Sequence, residues 1–309
     1  MLKRRAFGSA VFICVCMLQA DAPDCGALSH DRPSYGHARR PPVPLSPWAE
    51  EVSVIMAETL ELRLNPALDA QKWAEIYARD RLVRIPDVFE PALAEHIENL
   101  LARTLNWRLV FAEADPSAPG GERVSKLTQQ DIAAMGRQAI GAKISHVMER
   151  ARDNYGYLYD SYPMIEAYTS GWDAGHPIHQ LTEFINSPEF LELGKTVTGA
   201  PLVTKADAQA TRYARGHFLT RHIDEGHDKE RVAAYTLGFT RNWQPDWGGL
   251  LMLLDDNLDI SRAFLPRFNV LSIFDGRRIH SVSAVSPFAG GARHQITGWF
   301  RNDPPYRET

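Results

Sequence analysis

With 309 residues, 44% of them hydrophobic and 23% charged, the chain can bury a substantial core in one large domain or two small ones. Its formal net charge is −4 and no basic block is interleaved with aromatics, which argues against nucleic-acid binding through a broad basic face. Cys14, Cys16 and Cys25 are the only cysteines, so the remaining chain has no disulfide framework, thiolate metal site or cysteine nucleophile.

The N-terminus has a basic start, an apolar run from Ala6 to Leu18 and the triplet Ala20-Asp21-Ala22, which together look like a secretory signal. The run is too short for a stable membrane span. Residues 27–47, rich in Pro, Arg and His, read as unstructured. Met56 offers a second start, making residues 1–55 an over-extension and the protein cytoplasmic. A true signal would instead make it secreted or periplasmic. We favour the cytoplasmic reading, because a secreted protein needs no such tail between signal and fold.

Asn65-Pro66 predicts a helix start, with Trp73, Ile76 and Tyr77 as its apolar stripe. "RLVRIPDVF" (81–89) predicts a short strand. Leu93, Ile97, Leu100 and Leu101 repeat at helical spacing behind Pro91. Thr128 and Asp131 form a capping box for a long helix carrying Ile132, Met135, Ile144, Val147 and Met148. Ser187-Pro188 opens another helix. After about residue 200 the texture changes to short β-rich runs, "QATRYA", "AAYTLGFT", "GLLMLL", "FNVLSIF", "HSVSAV" and "HQITGWF", separated by Gly, Pro, Asn and Asp. The expected fold is α+β: a double-stranded β-helix, or jelly roll, over 201–304, supported by helices over 56–200.

His222-Ile223-Asp224 is a common triplet by chance, but on a strand its first and third side chains share a face and could reach one ion. His96-Ile97-Glu98 has the same spacing in a helical pattern, where the two side chains diverge. His280, opening a later β-run, is the candidate third ligand. Two His and one carboxylate on one side of an ion leave positions open, the arrangement suited to non-heme Fe(II) oxygenases. His217 is an odd number of residues from His222 and faces away in a regular strand. His227 follows Glu225-Gly226, which reads as a turn.

The block "YARGHFLTRHID" (213–224) resembles the Y-x-x-G-x-F…H-x-D signature of Fe(II)/2-oxoglutarate dioxygenases of the prolyl-hydroxylase type. "WQPDWGGL" (243–250), "PRFNVLSIF" (266–274), "HSVSAV" (280–285) and "RHQITGWF" (293–300) are similar to that family's later blocks, in the same order across 213–300. The branch that looks nearest comprises the ribosomal-protein and translation-linked prolyl hydroxylases; members with a second β domain are longer than this chain.

The resemblance implies that His222, Asp224 and His280 bind Fe(II). It implies that Arg293, with Tyr213, holds the distal carboxylate of 2-oxoglutarate, a role suited to a planar, always-charged guanidinium. The interval from His280 to Arg293 is longer than usual for the branch. The loop 287–291 can absorb the excess, and Arg301 is the alternative anchor. The implied reaction consumes O2 and 2-oxoglutarate, with ascorbate as reductant, and hydroxylates an unactivated C–H bond. Asp224, where halogenating relatives carry a small residue, favours hydroxylation. The expected substrate is a prolyl residue of a protein or peptide, ribosomal proteins included, with Trp243 and Trp247 available to stack on it. The alternatives are a free amino acid or metabolite, a non-catalytic jelly-roll metal-binding protein, and a zinc hydrolase using the same three ligands.

Overall fold

The computed structural model describes residues 47–57, 61–118, 121–224, 226 and 229–306. The signal-like or over-extended start falls, through residue 46, outside the described residues. Helix α1 (Pro47–Ala57) straddles the boundary expected at residues 55 and 56; Ile55 is buried and Glu51 pairs with Arg103.

Helix α2 (Ala70–Asp80) starts later than Asn65-Pro66 suggests. Asn65 accepts from the Ala67 N–H at 3.0 Å and donates to Asp87 O at 3.0 Å, so it makes a turn instead of a cap. Asp69 takes over, accepting from the Lys72 N–H at 3.1 Å. The strand β1 (Leu82–Pro86) and helix α3 (Pro91–Arg103) follow as expected, with Leu93, Ile97, Leu100 and Leu101 all buried. Truncating a fully buried side chain such as Ile97 to Ala costs about 2–5 kcal/mol.

The front half is less helical than its sequence suggests. Strands β2 (Arg108–Ala114), β3 (Glu122–Leu127) and β4 (Tyr157–Tyr162) lie within it. Between them runs α4 (Gln129–Arg150), opened by the Thr128–Asp131 capping box and kinked at Gly136, where φ is 76°. Val147 packs against Leu109, Phe111 and Leu158, with Ile132 and Ile144 half-buried beside it; Met135 and Met148 stay exposed. Helices α5 (Met164–Thr169), α6 (Ile178–Ile185) and α7 (Pro188–Thr198) complete the support, α7 capped by Ser187.

The remaining strands are β5 (Lys205–Ala206), β6 (Gln209–Tyr213), β7 (Phe218–His222), β8 (Arg231–Gly238), β9 (Leu251–Leu254), β10 (Ile260–Phe264), β11 (Val270–Phe274), β12 (His280–Val282) and β13 (Arg293–Arg301). They form two antiparallel faces, β1-β11-β8-β13-β6 and β7-β12-β9-β10, joined by β4, which pairs with both β6 and β7. From β6 to β13 the chain crosses from one face to the other at every step except β9 to β10, which form a hairpin, and this crossing is the jelly roll. Period-2 alternation decides what each side of the first face does. Leu271, Ile273, Ile296 and Phe300 pack with Ile97, Leu101 and Phe190 of the helices. Their neighbours Arg293, Gln295, Thr297 and Trp299 line a cavity on the opposite side. No described helix is long and apolar enough to cross a membrane.

Candidate metal and anion site

His222 closes β7 and His280 opens β12, and the two are register partners. Asp224 lies just beyond the end of β7, so strand alternation alone does not orient it. Its backbone N–H donates to Gly276 O at 2.7 Å, which fixes the turn. Asp224 Oδ1 is 3.6 Å from His222 Nε2, and Oδ2 is 3.2 Å from His280 Nε2. One ligand atom from each residue falls within 4.8 Å of the others.

Each imidazole is oriented by a backbone carbonyl. His222 Nδ1 is 2.9 Å from Thr220 O, and His280 Nδ1 is 2.9 Å from Arg278 O. A carbonyl only accepts, so each Nδ1 carries the proton and each Nε2 presents a lone pair toward Asp224. Burial, then the nearby His280, pushes the His222 pKa down. Burial raises the Asp224 carboxyl, but its polar contacts with His280 and then His222 outweigh this and hold it below the ordinary range. The set suits a divalent cation.

Other histidines stand apart. His217 is buried, takes a hydrogen bond from the Ala214 N–H at 3.2 Å and is not in the cluster. His96 is buried in α3. His227 lies outside the described residues.

Arg293, at the start of β13, is the register partner of Tyr213 on β6, and its guanidinium carbon lies 5.3 Å from that ring's centre. It is 3% exposed. Nη1 donates to Gly249 O at 2.8 Å and Nη2 to Gln295 Oε1 at 2.5 Å; Nε has no partner. Among the described residues no carboxylate lies within ion-pair distance of it. Burial lowers its pKa to about 10, which still leaves it charged at neutral pH. Burial likewise pushes the Tyr213 hydroxyl far up, keeping it neutral. Arg301 is placed differently: it pairs with Asp207 at 3.1 Å, Asp303 at 2.8 Å and Glu230 at 3.5 Å.

The triad and Arg293 open on one cavity of about 660 Å³. Tyr155, Tyr159 and Tyr213 line it; Tyr155, Tyr157 and Tyr159 follow one another at 5.6 Å, Tyr159 continuing to Tyr213 at 5.2 Å and Tyr155 approaching His222 at 5.8 Å. The i, i+2, i+4 spacing of these tyrosines is the period-2 signal of a strand within a front half whose other patterns read as helical. Opposite, Arg231 stacks on Trp299 at 3.8 Å and reaches within 4.0 Å of Asp224 Oδ1. Trp243 and Trp247 do not line the cavity. They meet edge to face at 5.2 Å, and Trp243 is buried with its indole N–H on Gly248 O at 2.9 Å. Their expected place beside the substrate is not where the structure puts them: Trp243 packs with Tyr213, Val282, Val285 and Ala289, and Trp247 is half-buried against the same cluster.

Residues 208–301 match the family model of the 2OG-Fe(II) oxygenase superfamily. No curated protein matches the chain in sequence. Among solved structures, an oxidoreductase of the 2OG-Fe(II) oxygenase family from Burkholderia pseudomallei aligns at 13% identity and TM-score 0.47, covering 80% of this chain and 97% of that one. A Pseudomonas putida prolyl-4-hydroxylase aligns at 19% identity and TM-score 0.35, over 69% of this chain and 100% of that one. The ribosomal oxygenase YcfD from Escherichia coli, in complex with cobalt and succinic acid, aligns at 12% identity and TM-score 0.40, over 80% and 54%.

Proposed function

This chain carries a 2OG-Fe(II) oxygenase domain over residues 208–301 and is a 2-oxoglutarate-dependent dioxygenase, and from that premise we propose an assignment of its site. His222, Asp224 and His280 hold the Fe(II). Arg293, with Tyr213, holds the distal carboxylate of 2-oxoglutarate. The substrate is a prolyl residue of a protein.

What carries the reading is the meeting, on one cavity, of an open-sided His–Asp–His cluster and a buried arginine without an acid. Two imidazole lone pairs and a carboxylate on one side of a point suit Fe(II). A buried guanidinium with an orphaned Nε suits a carboxylate. When bound, iron, 2-oxoglutarate and O2 together supply the oxidising power that puts one oxygen atom into an unactivated C–H bond, 2-oxoglutarate leaving as succinate and carbon dioxide. Ascorbate is the proposed external reductant.

The chain's own contribution is orientation and exclusion of water. The carbonyls of Thr220 and Arg278 keep both imidazoles in the ligating tautomer, and Gly276 O pins the turn that aims Asp224. Arg293 anchors the dicarboxylate from the closed end, leaving its keto-acid end to reach the triad across the same cavity. Leu251, Phe274 and Val282 line the space around the triad with apolar surface.

A protein substrate is supported by the likeness of "GHFLTRHID" and "RHQITGWF" to the translation-linked branch. The mouth also supports it: Tyr155 and Ile223 are 42% and 49% exposed beside the Arg231–Trp299 stack, a rim on which a peptide and a pyrrolidine ring can lie. A free amino acid or metabolite is the second reading. Arg231 favours it, since its Nε is buried without a partner and can take a small-molecule carboxylate. A non-catalytic protein or a zinc hydrolase would have no use for the buried Arg293. Purified protein given Fe(II), 2-oxoglutarate and O2 is expected to release succinate, and host ribosomal proteins to gain one oxygen atom on a prolyl residue by mass spectrometry. Turnover coupled to a free metabolite, with every prolyl residue unchanged, would replace the protein substrate with the small-molecule one.

A further inference from the structure

Arg293 is not the only cation at the closed end of the barrel. Arg84, the middle residue of β1, is the register partner of Ser272 on β11. Ser272 faces Thr236 on β8, Thr236 faces Thr297 on β13, and Thr297 faces Gln209 on β6. Directly opposed residues of an antiparallel sheet share a face. A polar row therefore crosses the cavity floor and ends at Arg84.

Arg84 is bonded much as Arg293 is. Its Nη2 donates to a backbone carbonyl across the barrel, Leu265 O at 3.0 Å, and its guanidinium lies 5.0 Å over the Phe264 ring. Its Nε is buried without a partner, like that of Arg293. Among the described residues neither guanidinium has a carboxylate within ion-pair distance. Both line one chamber of about 20 Å³, shared with Arg267, Ser272, Thr236, Leu265 and Gln295, which has room for a particle about the size of one water. Thr236, Arg293 and Gln295 also line the main cavity, so the two spaces adjoin. Burial lowers the pKa of both arginines, and Arg84 lowers that of Arg293 further. Arg293 is buried and Arg84 half-buried, with the exposed Arg267 beside Arg84, so positive charge gathers around one chamber and is costly there without an anion.

We propose that Arg84 and Arg293 together form a two-guanidinium pocket for one monovalent anionic group at the closed end of the barrel. The group is either the distal carboxylate of the co-substrate, in which case Arg84 is a second anchor resting on the function proposed above, or a free halide behind it. Arg84 lies outside the segment that matches the family model.

The test uses the full-length iron-loaded protein without oxygen. Binding of 2-oxoglutarate is measured by calorimetry for the parent, Arg84→Met, Arg84→Lys and Arg293→Met, and bromide-soaked crystals are examined for anomalous scattering between the two guanidinium groups. Arg84→Met is expected to weaken 2-oxoglutarate about tenfold or more, with Arg84→Lys recovering most of it. A bromide peak displaced by 2-oxoglutarate identifies the carboxylate as occupant; a peak that persists beside it identifies the halide. No bromide peak together with unchanged affinity in Arg84→Met overturns the pocket. If Arg293→Met alone abolishes binding and no bromide peak appears, the pocket falls and the proposed function stands. If Arg293→Met binds normally, the co-substrate assignment falls as well. Should Arg84→Met fail to fold, Arg84→Lys and the bromide experiment still decide.

Discussion

His222 and His280 face each other across β7 and β12 with ring centroids 4.2 Å apart, close enough that one ion can touch both Nε2 atoms. Each ring is held from behind by a carbonyl, so removing one should delete a ligand without unravelling a strand. His280→Ala, like Asp224→Ala, is expected to lower metal affinity about a hundredfold or more and to abolish succinate release, with the circular-dichroism spectrum unchanged. Metal content after dialysis checks it; near-parent iron retention and turnover in His280→Ala would remove that residue from the site.

Arg293 and Arg301 should behave differently when replaced by leucine. Arg293→Leu is expected to weaken 2-oxoglutarate by about 3–5 kcal/mol, since a carboxylate entering the cavity would lose its charged partner. Arg301→Leu removes the cation shared by Asp207, Glu230 and Asp303 and should lower stability by about 1–3 kcal/mol with little change in co-substrate affinity. Calorimetry and thermal unfolding on both variants test this, and the reverse pattern would exchange their roles.

Gly276 has a steric reason to be glycine. A Cβ there would lie 2.9 Å from Asp224 Cβ, closer than carbon atoms tolerate, and the same residue's carbonyl holds the Asp224 N–H. Gly276→Ala is therefore expected to push the carboxylate off the triad, costing about 10–100-fold in metal affinity. Equal metal titration curves for variant and parent would show that the turn absorbs the methyl group.

Acid stability should depend on Asp303. Burial raises its carboxyl, but hydrogen bonds from Arg301 and Lys205 outweigh this and hold it at about 2, below its ordinary value of 3.8. Its contribution is thus fully present above about pH 4 and is lost as pH falls toward 2. Thermal unfolding across that window should show a shallower pH dependence for Asp303→Asn than for the parent. Parallel curves would mean that other carboxylates set the acid limb.

Local chemistry made much of this protein legible from its sequence. A capping box needs only Thr128 and Asp131, and α3 needs only Pro91 and an apolar repeat. The C-terminal strands announce themselves through β-branched and aromatic runs between turn residues. His222, Asp224 and His280 could be singled out because metal chemistry restricts the residue types. Tertiary pairing decided the rest. β2, β3 and β4 form because the sheet offers them partners, and β3 alone, with its charged "ERVSKL", carries no strand signal strong enough to stand without one. Asp224 is aimed by a hydrogen bond to Gly276, far along the chain. Alternation along β13 could not separate Arg293 from Arg301, because residues eight apart on a strand share a face. What distinguishes them is which end of the strand meets acids: Arg301 is surrounded by three carboxylates, while Arg293 is enclosed beside Tyr213 and Arg84 with none. A pattern of period 2 records the face a side chain occupies, and only the folded barrel determines the charges that share it.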